Sequence, residues 1–400
     1  MTLLIKNAKV YQSGKLIEKN IFIENSRIQK ITSQDVKADA IINAKDKVVI
    51  PGLIDCHVHF REPGLTHKED FFSGSCAAAA GGITSFLDMP NTIPATTTVS
   101  LLEQKRKLAQ KSIVNYGFHF GSTTNNIEEI KKAKNVASVK VYMNHTTGDL
   151  KIEDDKALQN IFTTNKTVAI HAEGEAIVKA KKLIQQGANN LYVCHVSSEQ
   201  ELNFAKKEKI ANNVYAEVCP HHLFMDTSKI KELHYFAEMK PNLKTTNDQK
   251  ALWLGINNGM IDTIASDHAP HTIKEKTERM HFGVPGCETM FPLLLNEYIA
   301  KSQKISFQKI IELCSENPAS IFKIKNKGRI QVGYGADFAI IDLNLKKEVI
   351  GKKQFTKCKW TPFEGMKLQG WPIMTIANGN VVFDEGKINK NQGKELMFNA

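Results

Sequence analysis

Two histidines separated by a single residue, in the segment IDCHVHFREPG, are the most specific chemical signal in the sequence. His57 and His59 stand in an apolar run that predicts a β-strand, and residues i and i+2 of a strand point to the same face. Two imidazoles on one face can hold one metal ion together. The pair alone is weak evidence, because two histidines on a polar edge strand would give the same pattern.

Four further side chains suited to a metal site stand at the ends of other predicted strands. Imidazole, carboxylate and a bridging oxygen are ligands that zinc accepts. Two divalent ions about 3.5–4 Å apart can activate a water and polarise a carbonyl together, which predicts hydrolysis. The four candidates are Lys140 in SVKVYMN, His171 in AIHAE, His195 in VCHVSS and Asp267 in IASDHAPH.

Lys140 needs an explanation of its own, because an ammonium group cannot ligate a metal. Between two cations it would be repelled, which favours the neutral amine. A neutral amine reacts with carbon dioxide to give a carbamate, an anion whose two oxygens can bridge both ions. The alternative is a lysine whose ammonium reaches solvent at the rim of the fold.

Elements that could position these side chains recur along the chain. Between about residues 50 and 270, short β-branched runs alternate with helix-forming stretches, which is typical of βα units on a parallel sheet. Eight such units predict an α/β fold, the (β/α)8 TIM barrel, whose active site lies at the C-terminal ends of the strands. The predicted strands are Val48–Phe60, Ile83–Met89, Asn115–Gly121, Ser138–Asn144, Thr167–Ala172, Asn190–Ser197, Asn213–Cys219 and Ile261–Ser266.

The two ends of the chain differ from this pattern, since both hold short alternating strands with Asn-Gly and Gly turns. Neither end alone offers enough strands to bury a core, so they are expected to meet as one small β-sandwich. The predicted division is 1–49 with 330–400 as the small domain and 50–329 as a metal-dependent hydrolase barrel. Predicted barrel helices include Glu69–Ala80, Thr97–Lys111, Ile127–Asn135, Glu173–Gln186, Glu199–Lys209 and Asp248–Gly259.

Composition excludes several classes of protein. With 400 residues, 42% hydrophobic and 24% charged, the chain is neither disordered nor fibrous. No apolar run approaches the ~20 residues that span a bilayer, and the first residues lack a signal-peptide pattern. Seven dispersed cysteines without a CxxC pair are not a disulfide framework. We therefore expect a cytoplasmic chain with reduced thiols and no membrane partner.

The charge balance raises the question of nucleic acid. There are 53 basic and 42 acidic residues, a net charge of +11. Only five of the basic residues are arginines, however, and the lysines are dispersed rather than grouped with aromatic residues. The charge predicts a mild attraction for anionic metabolites, and we expect a small-molecule substrate and no nucleic-acid partner.

Seven motifs occur in the order HVHFREPG, DMPNT, SVKVYMN, HAE, CHVSS, PHH and SDHAPH. As a set they resemble the cyclic amidohydrolases and, among these, the dihydroorotase family. The nearest pattern is the dihydroorotase domain of the animal multifunctional pyrimidine-synthesis protein. The resemblance covers nearly the whole chain and is strongest over about residues 50–300. Singly, the HxH and SDH motifs occur across the wider superfamily.

The resemblance implies a reversible, zinc-dependent cyclisation of N-carbamoyl-L-aspartate to (S)-dihydroorotate and water, in de novo pyrimidine (UMP) biosynthesis. It implies that Asp267 is the catalytic proton shuttle. The implied zinc ligands are His57, His59 and Asp267 for one ion, His171 and His195 for the other, and carboxylated Lys140 as the bridge.

Substrate choice is expected to depend on residues that do not touch the metals. Arg61 lies two residues beyond His59, and its planar fork can bind a carboxylate by two charge-assisted hydrogen bonds. The resemblance implies that allantoinases and hydantoinases carry Ser or Asp there, because their substrates lack this ring carboxylate. The alternative is a surface ion pair with Glu62 or Glu69. Further implied substrate-binding residues are Asn91, Lys240 and His271, with the backbone at Phe282 and Gly283 closing on the ring.

Four residues near these motifs have secondary expected roles. Cys194 and Glu217 match positions that can hold a third zinc in the animal-type domain, and burial of a small thiol is the competing explanation. His221 and His222 are expected to orient the pocket rather than to bind metal.

The segment after the fourth strand predicts a flap over the substrate, formed by Thr146 and Thr147. An ordinary connecting loop is the alternative. Two positions depart from the family pattern. Lys240 stands where relatives more often have Arg or Asn, and Thr147 stands where the animal-type flap has an aromatic residue. A lysine is a point charge instead of a fork, which puts the strength of carboxylate binding in doubt.

Two other functions stay open at this point. One is an allantoinase or hydantoinase with atypical substrate contacts. The other is a catalytically silent homologue that serves as a scaffold for a pathway enzyme, which would be expected to have lost ligands, whereas this sequence keeps the set. The sequence also leaves open a homodimer and the docking of a pathway enzyme such as aspartate transcarbamoylase.

Overall fold

The computed structural model describes residues 2–146, 148–185, 190–209, 213–278, 281–302 and 304–399. Strands alternate with helices through the middle of the chain, and both ends are mainly strands. In chain order the strands are β1 (Thr2–Gln12), β2 (Lys15–Glu24), β3 (Arg27–Thr32), β4 (Ala40–Asn43), β5 (Val48–Pro51), β6 (Leu53–Val58), β7 (Ile83–Asp88), β8 (Asn115–Gly121), β9 (Ser138–Tyr142), β10 (Val168–His171), β11 (Leu191–Val193), β12 (Val214–Val218), β13 (Thr263–Ile264), β14 (Phe338–Glu348), β15 (Lys367–Ala377), β16 (Asn380–Asp384) and β17 (Lys387–Ile388).

Most helices follow a barrel strand. None of the helices in the described ranges is both long and apolar enough to cross a membrane. A π-helical segment, Glu312–Glu316, joins the last two α-helices of the chain. The α-helices are α1 (Phe71–Ala80), α2 (Val99–Ala109), α3 (Ile127–Lys132), α4 (Asp155–Phe162), α5 (Glu175–Gln185), α6 (Glu199–Lys209), α7 (Pro220–Phe224), α8 (Ile230–Leu233), α9 (Thr246–Asn257), α10 (Ile273–Glu278), α11 (Met290–Ile299), α12 (Phe307–Ile311) and α13 (Asn317–Ile321).

Strands β6 to β13 form one eight-stranded parallel sheet in sequence order. Its first and last strands meet, because Val58 bridges to His268 and the His59 N–H donates to the His268 carbonyl at 2.8 Å. The strands are buried on both faces, as expected where helices cover the outside of a parallel sheet. The nearly closed barrel confirms the predicted (β/α)8 architecture and brings the C-terminal strand ends to one rim.

The first predicted strand, Val48–Phe60, is two strands that belong to different sheets. β5 ends at Pro51, β6 begins at Leu53, and Gly52 lies between them. A Cβ atom on Gly52 would lie 2.1 Å from the Thr84 hydroxyl oxygen. The chain therefore passes from one sheet to the other at a point where a side chain has no room.

Helix α4 is absent from the helices predicted above. Its first turn is capped by Asp154, whose side chain accepts from the Ala157 N–H at 2.6 Å, and Leu158 and Ile161 bury its apolar face. The six predicted helices are present, with ends that differ by zero to three residues. Helix α4 also buries Ala157 and Phe162, so its apolar residues follow helical spacing and were an available signal in the sequence.

The two ends of the chain meet in one nine-stranded mixed sheet. β5 pairs antiparallel with β14, for example Val49 with Ile340, and this pairing joins the N-terminal strands to the C-terminal ones. Ile5, Ile21 and Phe338 belong to an apolar cluster of this sheet. The strands are hydrogen-bonded as one continuous sheet, and its closure into a sandwich stays a prediction.

The last residues of the chain leave this sheet and contact the barrel. The Tyr116 N–H in β8 donates to the Lys394 carbonyl at 3.1 Å, and the Leu396 N–H donates to the Tyr116 carbonyl at 2.8 Å. The C-terminal segment therefore pairs with the start of a barrel strand.

Candidate active site

One pocket lies at the C-terminal ends of the barrel strands, where β6, β9, β10, β11 and β13 bring their last or following residues together. Its lining is mainly polar and charged side chains with a few apolar ones. Side chains that the sequence distributes over more than 200 positions therefore share one site. The pocket is lined by His57, His59, Arg61, Asn91, Lys140, Tyr142, Thr146, His171, His195, Lys240, Asp267, Ala269, Phe282 and Gly283.

His57 and His59 direct their Nε2 atoms at the same oxygen, Oδ1 of Asp267. The distances are 3.3 Å from His57 and 3.1 Å from His59. The other ring nitrogens face oxygens too: His59 Nδ1 lies 2.7 Å from Asn91 Oδ1, and His57 Nδ1 lies 2.8 Å from Glu217 Oε1. Both rings therefore place one nitrogen against Asp267 and the other against a second oxygen acceptor, and their protonation decides which of these nitrogens carries a lone pair.

Burial and neighbouring charges set the protonation of this group. Burial lowers the pKa of His59 to about 4, against an opposing effect of Asp267. Burial also acts to lower the pKa of His57, but Glu217 and Asp267 outweigh it and raise the pKa to about 10. Burial acts to raise the pKa of Asp267, but His57 and His59 outweigh it and hold that pKa well below its usual range. Asp267 is therefore ionised, the state in which a carboxylate binds cations and accepts protons.

His171 and His195 form a second pair of facing imidazoles. His171 Nδ1 lies 2.9 Å from His195 Nε2, and His171 Nε2 lies 3.1 Å from Glu173 Oε1. Burial lowers the pKa of both imidazoles, so both are neutral. With its proton directed at Glu173, His171 presents the Nδ1 lone pair to His195.

Lys140 is fully buried, so its ammonium does not reach solvent at the rim. Its Nζ lies 2.9 Å from Cys194 Sγ and 5.3 Å from the centroid of the Tyr142 ring. It is one of the residues that line the pocket together with both histidine pairs. This is where the proposed bridging group has to lie.

The donor set fits divalent metal ions. His57, His59 and Asp267 offer ligand atoms within 4.8 Å of one another, and the His57 and His195 ring centroids are 5.4 Å apart, so the two pairs adjoin. Neutral imidazoles and an ionised carboxylate are the states in which these groups bind zinc. His59, His171, His195 and Asp267 are already in these states, and His57, whose raised pKa keeps it protonated here, would lose its Nε2 proton on binding the ion.

Three residues of the pocket hold their backbones in the left-handed region. The φ angles are 65° at Arg61, 39° at His195 and 45° at Asp267. A non-glycine residue adopts such a φ at a cost on the order of 1–3 kcal/mol, and this strain concentrates at functional sites. Strained backbone thus occurs at three of the strand ends whose side chains line the pocket.

Arg61 is buried in the pocket wall, with 2% of its surface exposed. Its Nε donates to the Pro270 carbonyl at 3.1 Å, and its Nη2 lies 3.0 Å from His271 Nε2. The expected alternative, an ion pair with Glu62 or Glu69, is absent among the described residues. Glu62 instead pairs with a lysine of another element. Within the ranges that the structure describes, the Arg61 guanidinium therefore forms no ion pair.

His271 is neutral, and its contacts define which ring nitrogen carries the proton. Burial and the charges of Arg61 and Lys68 hold its pKa far below the usual value. Lys68 Nζ lies 3.1 Å from Nδ1, which accepts, so the Nε2–H donates to the Phe282 carbonyl at 2.9 Å. The indole N–H of Trp360 donates to the His271 carbonyl at 2.7 Å. Because Nε2 carries the proton, Arg61 Nη2, which is itself a donor, lies against this nitrogen without a hydrogen bond to it.

The other expected substrate contacts, Asn91, Lys240, Phe282 and Gly283, all line the pocket. Lys240 Nζ lies 4.9 Å from the centroid of the Phe282 ring. Gly283 has a φ of 133°, and a Cβ atom on it would lie 2.6 Å from Ala269 Cβ. The backbone at Gly283 can therefore reach the pocket only without a side chain.

Cys194 and Glu217 lie behind His57 rather than in the pocket lining. Glu217 accepts from the His195 N–H at 2.8 Å and from the Tyr192 hydroxyl at 2.7 Å. The ligand atoms of His57, Cys194 and Glu217 lie within 4.8 Å of one another, and all three residues are buried. Both explanations given for this group, a third metal and a packed thiol, stay predictions.

Thr146 lines the pocket and forms an isolated bridge with Gly148. Thr147 lies outside the described residues. The flap therefore stays a prediction.

The two histidines of the PHH motif are both buried. His222 Nε2 lies 3.1 Å from the Pro241 carbonyl, next to a pocket residue. His221 offers a ligand atom within 4.8 Å of those of Cys219 and Asp267. The orienting role expected for the pair stays a prediction.

Two residues of this site are missing from the sequence predictions. Tyr142 lines the pocket, and its position two residues after Lys140 on the same strand face was an available signal. Lys68 contacts His271, although the two residues lie 203 positions apart in the sequence. No spacing pattern could have indicated that contact.

Comparisons with known proteins identify the family of this chain. The sequence matches the Amidohydrolase family over residues 48–382. Dihydroorotases of Methanosarcina mazei and Lactobacillus gasseri are 36% and 34% identical, covering 98% and 96% of this chain and 96% and 100% of theirs. The solved L-hydantoinase (dihydropyrimidinase) of Arthrobacter aurescens is 27% identical with a TM-score of 0.94, covering 99% of both chains. The dihydropyrimidinase of Brevibacillus agri is 25% identical with a TM-score of 0.91, covering 100% of both. Because the family match spans most of the sequence and curated relatives exceed 30% identity, this chain belongs to the Amidohydrolase family.

Proposed function

We propose that this chain is a zinc-dependent dihydroorotase that reversibly cyclises N-carbamoyl-L-aspartate to (S)-dihydroorotate and water in de novo pyrimidine (UMP) biosynthesis. Curated dihydroorotases at 32–36% identity over nearly the whole chain support this reaction. The observation that carries the proposal is a single pocket that holds four histidines, Asp267 and the buried Arg61, which forms no ion pair with any described residue.

The metal-binding part of the proposal follows the two pairs of facing imidazoles. When bound, the ions supply the Lewis acidity that polarises the ring amide carbonyl and activates a water. Lys140 would carry carbon dioxide as a carbamate, formed when its neutral amine adds CO₂ and loses a proton, and Cys194 and Glu217 would contribute to a third zinc. The proposed ligands of the main pair are His57, His59 and Asp267 for one zinc, His171 and His195 for the other, and carboxylated Lys140 for both.

Asp267 is the proposed proton carrier. In ring opening, its carboxylate takes a proton from the attacking water and delivers it to the departing ring nitrogen. Ring closure follows the same path in reverse. The low pKa of Asp267 keeps the carboxylate available as the base, and its position beside His57 and His59, the proposed zinc ligands, supports this role.

The ring carboxylate of the substrate is the proposed partner of Arg61. Asn91 and Lys240 line the same pocket, and the backbone at Phe282 and Gly283 would close on the ring. His271 is not part of the pocket lining and would act on the substrate through its contacts with Arg61 and with the Phe282 carbonyl. Charge-assisted hydrogen bonds contribute about 1.5–3 kcal/mol each, so two of them select strongly for a carboxylate-bearing ring.

The test is a direct assay in both directions. The purified chain, supplied with zinc and bicarbonate, is expected to open dihydroorotate and to cyclise N-carbamoyl-L-aspartate, and a chelator-treated sample serves as the control. Zinc-loaded protein that does neither would refute the proposal. Protein that retains no zinc and turns over neither compound would favour the scaffold alternative.

A second candidate is a hydantoinase or allantoinase, which the TM-score of 0.94 to an L-hydantoinase favours. Arg61 argues against it, because a buried guanidinium without an anion is costly unless a substrate carboxylate pairs with it. Rates on dihydroorotate, hydantoin and allantoin with one enzyme preparation separate the candidates. A preference for either uncharged ring would reverse our ranking.

We also propose the finer organisation expected from the sequence. The apolar cluster of the nine-stranded sheet supports its closure into a small β-sandwich of residues 1–49 and 330–400 beside a barrel of residues 50–329. The seven free cysteines support a cytoplasmic location. Nearness to the animal multifunctional domain and a homodimer stay predictions, and the relatives named above are archaeal and bacterial.

A further inference from the structure

Three lysines among the described residues have fully buried side chains: Lys105, Lys140 and Lys276. Lys105 is paired with Asp88 at 2.6 Å, and Lys140 lies in the pocket. Lys276 has neither arrangement, since no carboxylate in the described part of the chain forms an ion pair with it. Burial lowers the pKa of Lys276 to about 7, which reflects the cost of placing an ammonium there. Such a cost indicates a specific structural or functional role.

The ammonium of Lys276 binds three backbone carbonyl groups. Its Nζ donates to Glu238 at 2.7 Å, to His281 at 2.8 Å and to Gly283 at 3.2 Å. An ammonium has three N–H donors, so all three are used. The indole ring of Trp360, whose centroid lies 5.6 Å away, adds a cation–π contact.

The three carbonyls belong to two segments of the pocket wall. Residues 281–283 include Phe282 and Gly283, and Glu238 lies two residues before Lys240. The Gly283 N–H donates to the same Glu238 carbonyl at 3.0 Å. Without the cation, the His281 and Gly283 carbonyls would lose this buried donor and the Glu238 carbonyl would keep only the Gly283 N–H, which costs free energy and weakens the link between the two segments.

We propose that Lys276 is a positioning residue for substrate binding, which fixes the backbone of residues 281–283 against Glu238 and thereby sets the width of the pocket between Gly283 and Lys240. Lys276 does not touch the substrate. The part that concerns binding rests on the proposed function, because the substrate that senses this width is dihydroorotate. The part that concerns the two segments does not depend on substrate identity.

The test compares Lys276→Met with Lys274→Met, a matched control on the same helix whose side chain is 78% exposed. Methionine keeps the length and the helix propensity and removes the three donors. On the acid side of pH 7, where Lys276 is charged, the Lys276→Met enzyme is expected to show a KM for dihydroorotate about tenfold higher or more, with kcat within about threefold. Zinc content and the Lys274→Met enzyme are expected to match the wild type.

Hydrogen exchange of the Gly283 amide gives a readout that needs no substrate. Exchange in Lys276→Met is expected to be at least about tenfold faster than in the wild type, with no change in Lys274→Met. An unchanged Gly283 exchange rate overturns the proposal whatever the KM, and a lower kcat at unchanged KM overturns it as well. If Lys276→Met does not fold, Lys276→Gln, which keeps two N–H donors at shorter reach, takes its place with the same criteria. A wild-type enzyme that does not turn over dihydroorotate refutes the proposed function, while the exchange comparison still decides the role of Lys276.

Discussion

The guanidinium of Arg61 lies 3.0 Å from the imidazole of His271, and among the described residues neither group has a carboxylate partner. His271 is neutral because Lys68 and Arg61 both face it and burial disfavours its charge. Lys68 is already paired with Glu275 at 3.1 Å, whereas Arg61 forms no ion pair within the described ranges, so its guanidinium is the group suited to bind an anionic substrate group. The contact connects the segment that follows β6, next to the HxH motif, with the loop that follows β13.

Replacing Arg61 with methionine is expected to raise the KM for dihydroorotate about 100-fold or more, because two charge-assisted hydrogen bonds of about 1.5–3 kcal/mol each are lost. Steady-state kinetics and metal analysis check this, with zinc content unchanged. Arg329→Met, at a side chain 59% exposed, is the matched control. A KM within threefold of the wild type would remove Arg61 from carboxylate binding.

Lys140→Ala is expected to lose most of its bound zinc and nearly all activity, since the proposed bridging carbamate can no longer form. Added short carboxylic acids should restore part of the activity by supplying two oxygens at the vacated position. Metal per chain and turnover are the measurements, and Lys131→Ala, at a side chain 59% exposed, is the control. Full metal content with full turnover in Lys140→Ala would contradict the proposal.

Asp267→Asn separates the charge of Asp267 from its backbone conformation. Asparagine tolerates the left-handed region that Asp267 occupies, with φ 45°, so the fold is expected to be retained. The loss of the base predicts a kcat at least about 100-fold lower, the range typical of positioned proton transfer. The thermal midpoint and zinc content distinguish this from misfolding, and a kcat close to that of the wild type would exclude Asp267 as the proton carrier.

Gly283→Ala tests the close approach between Gly283 and Ala269. The added Cβ would lie 2.6 Å from Ala269 Cβ at a φ of 133°, so both a clash and backbone strain oppose it. We expect a higher KM together with a loss of about 1–3 kcal/mol in the free energy of unfolding. Gly333→Ala has a φ of 86° and no atom within 4 Å of the new Cβ, so it should retain the wild-type KM. Equal effects of both variants would show that strain alone matters.

Glu288 predicts a pH dependence of stability. Burial raises its pKa from 4.5 to about 8, so its folded state favours the neutral acid. A raised pKa contributes stability that is complete below pH 4.5 and is lost as the pH rises through about 8. Since one pKa unit corresponds to about 1.4 kcal/mol, the loss amounts to a few kcal/mol.

Urea unfolding of Glu288→Gln across this range checks the effect. The variant cannot ionise, so its free energy of unfolding should fall less than that of the wild type as the pH rises. Glu348→Gln, at an exposed position at the end of β14, is the control and should follow the wild type. Parallel curves for all three proteins would contradict the assignment to Glu288.

Much of the architecture is predictable from local pattern. Alternation of β-branched runs with helix-forming stretches indicates strands such as β7 and β8 within a residue or two, because burial on both faces selects those residue types. The spacing of His57 and His59 likewise predicts a shared face. Helix α4 was also predictable in this way, because Leu158, Ile161 and Phe162 form one apolar face. The break at Gly52 was not, because it depends on contact with Thr84, which is distant in sequence.

The sequence by itself determined the eight βα units, the order of the motifs and the residue types able to bind metal, because these are properties of short segments. Only the tertiary structure decided that Arg61 faces His271, that Lys68 lies against the same ring, and that Lys276 binds three carbonyls across the pocket wall. Those contacts arise where loops from distant strands close at one rim. Their free energy depends on distance, burial and the direction of donors, and none of these quantities has a periodic signature in the chain.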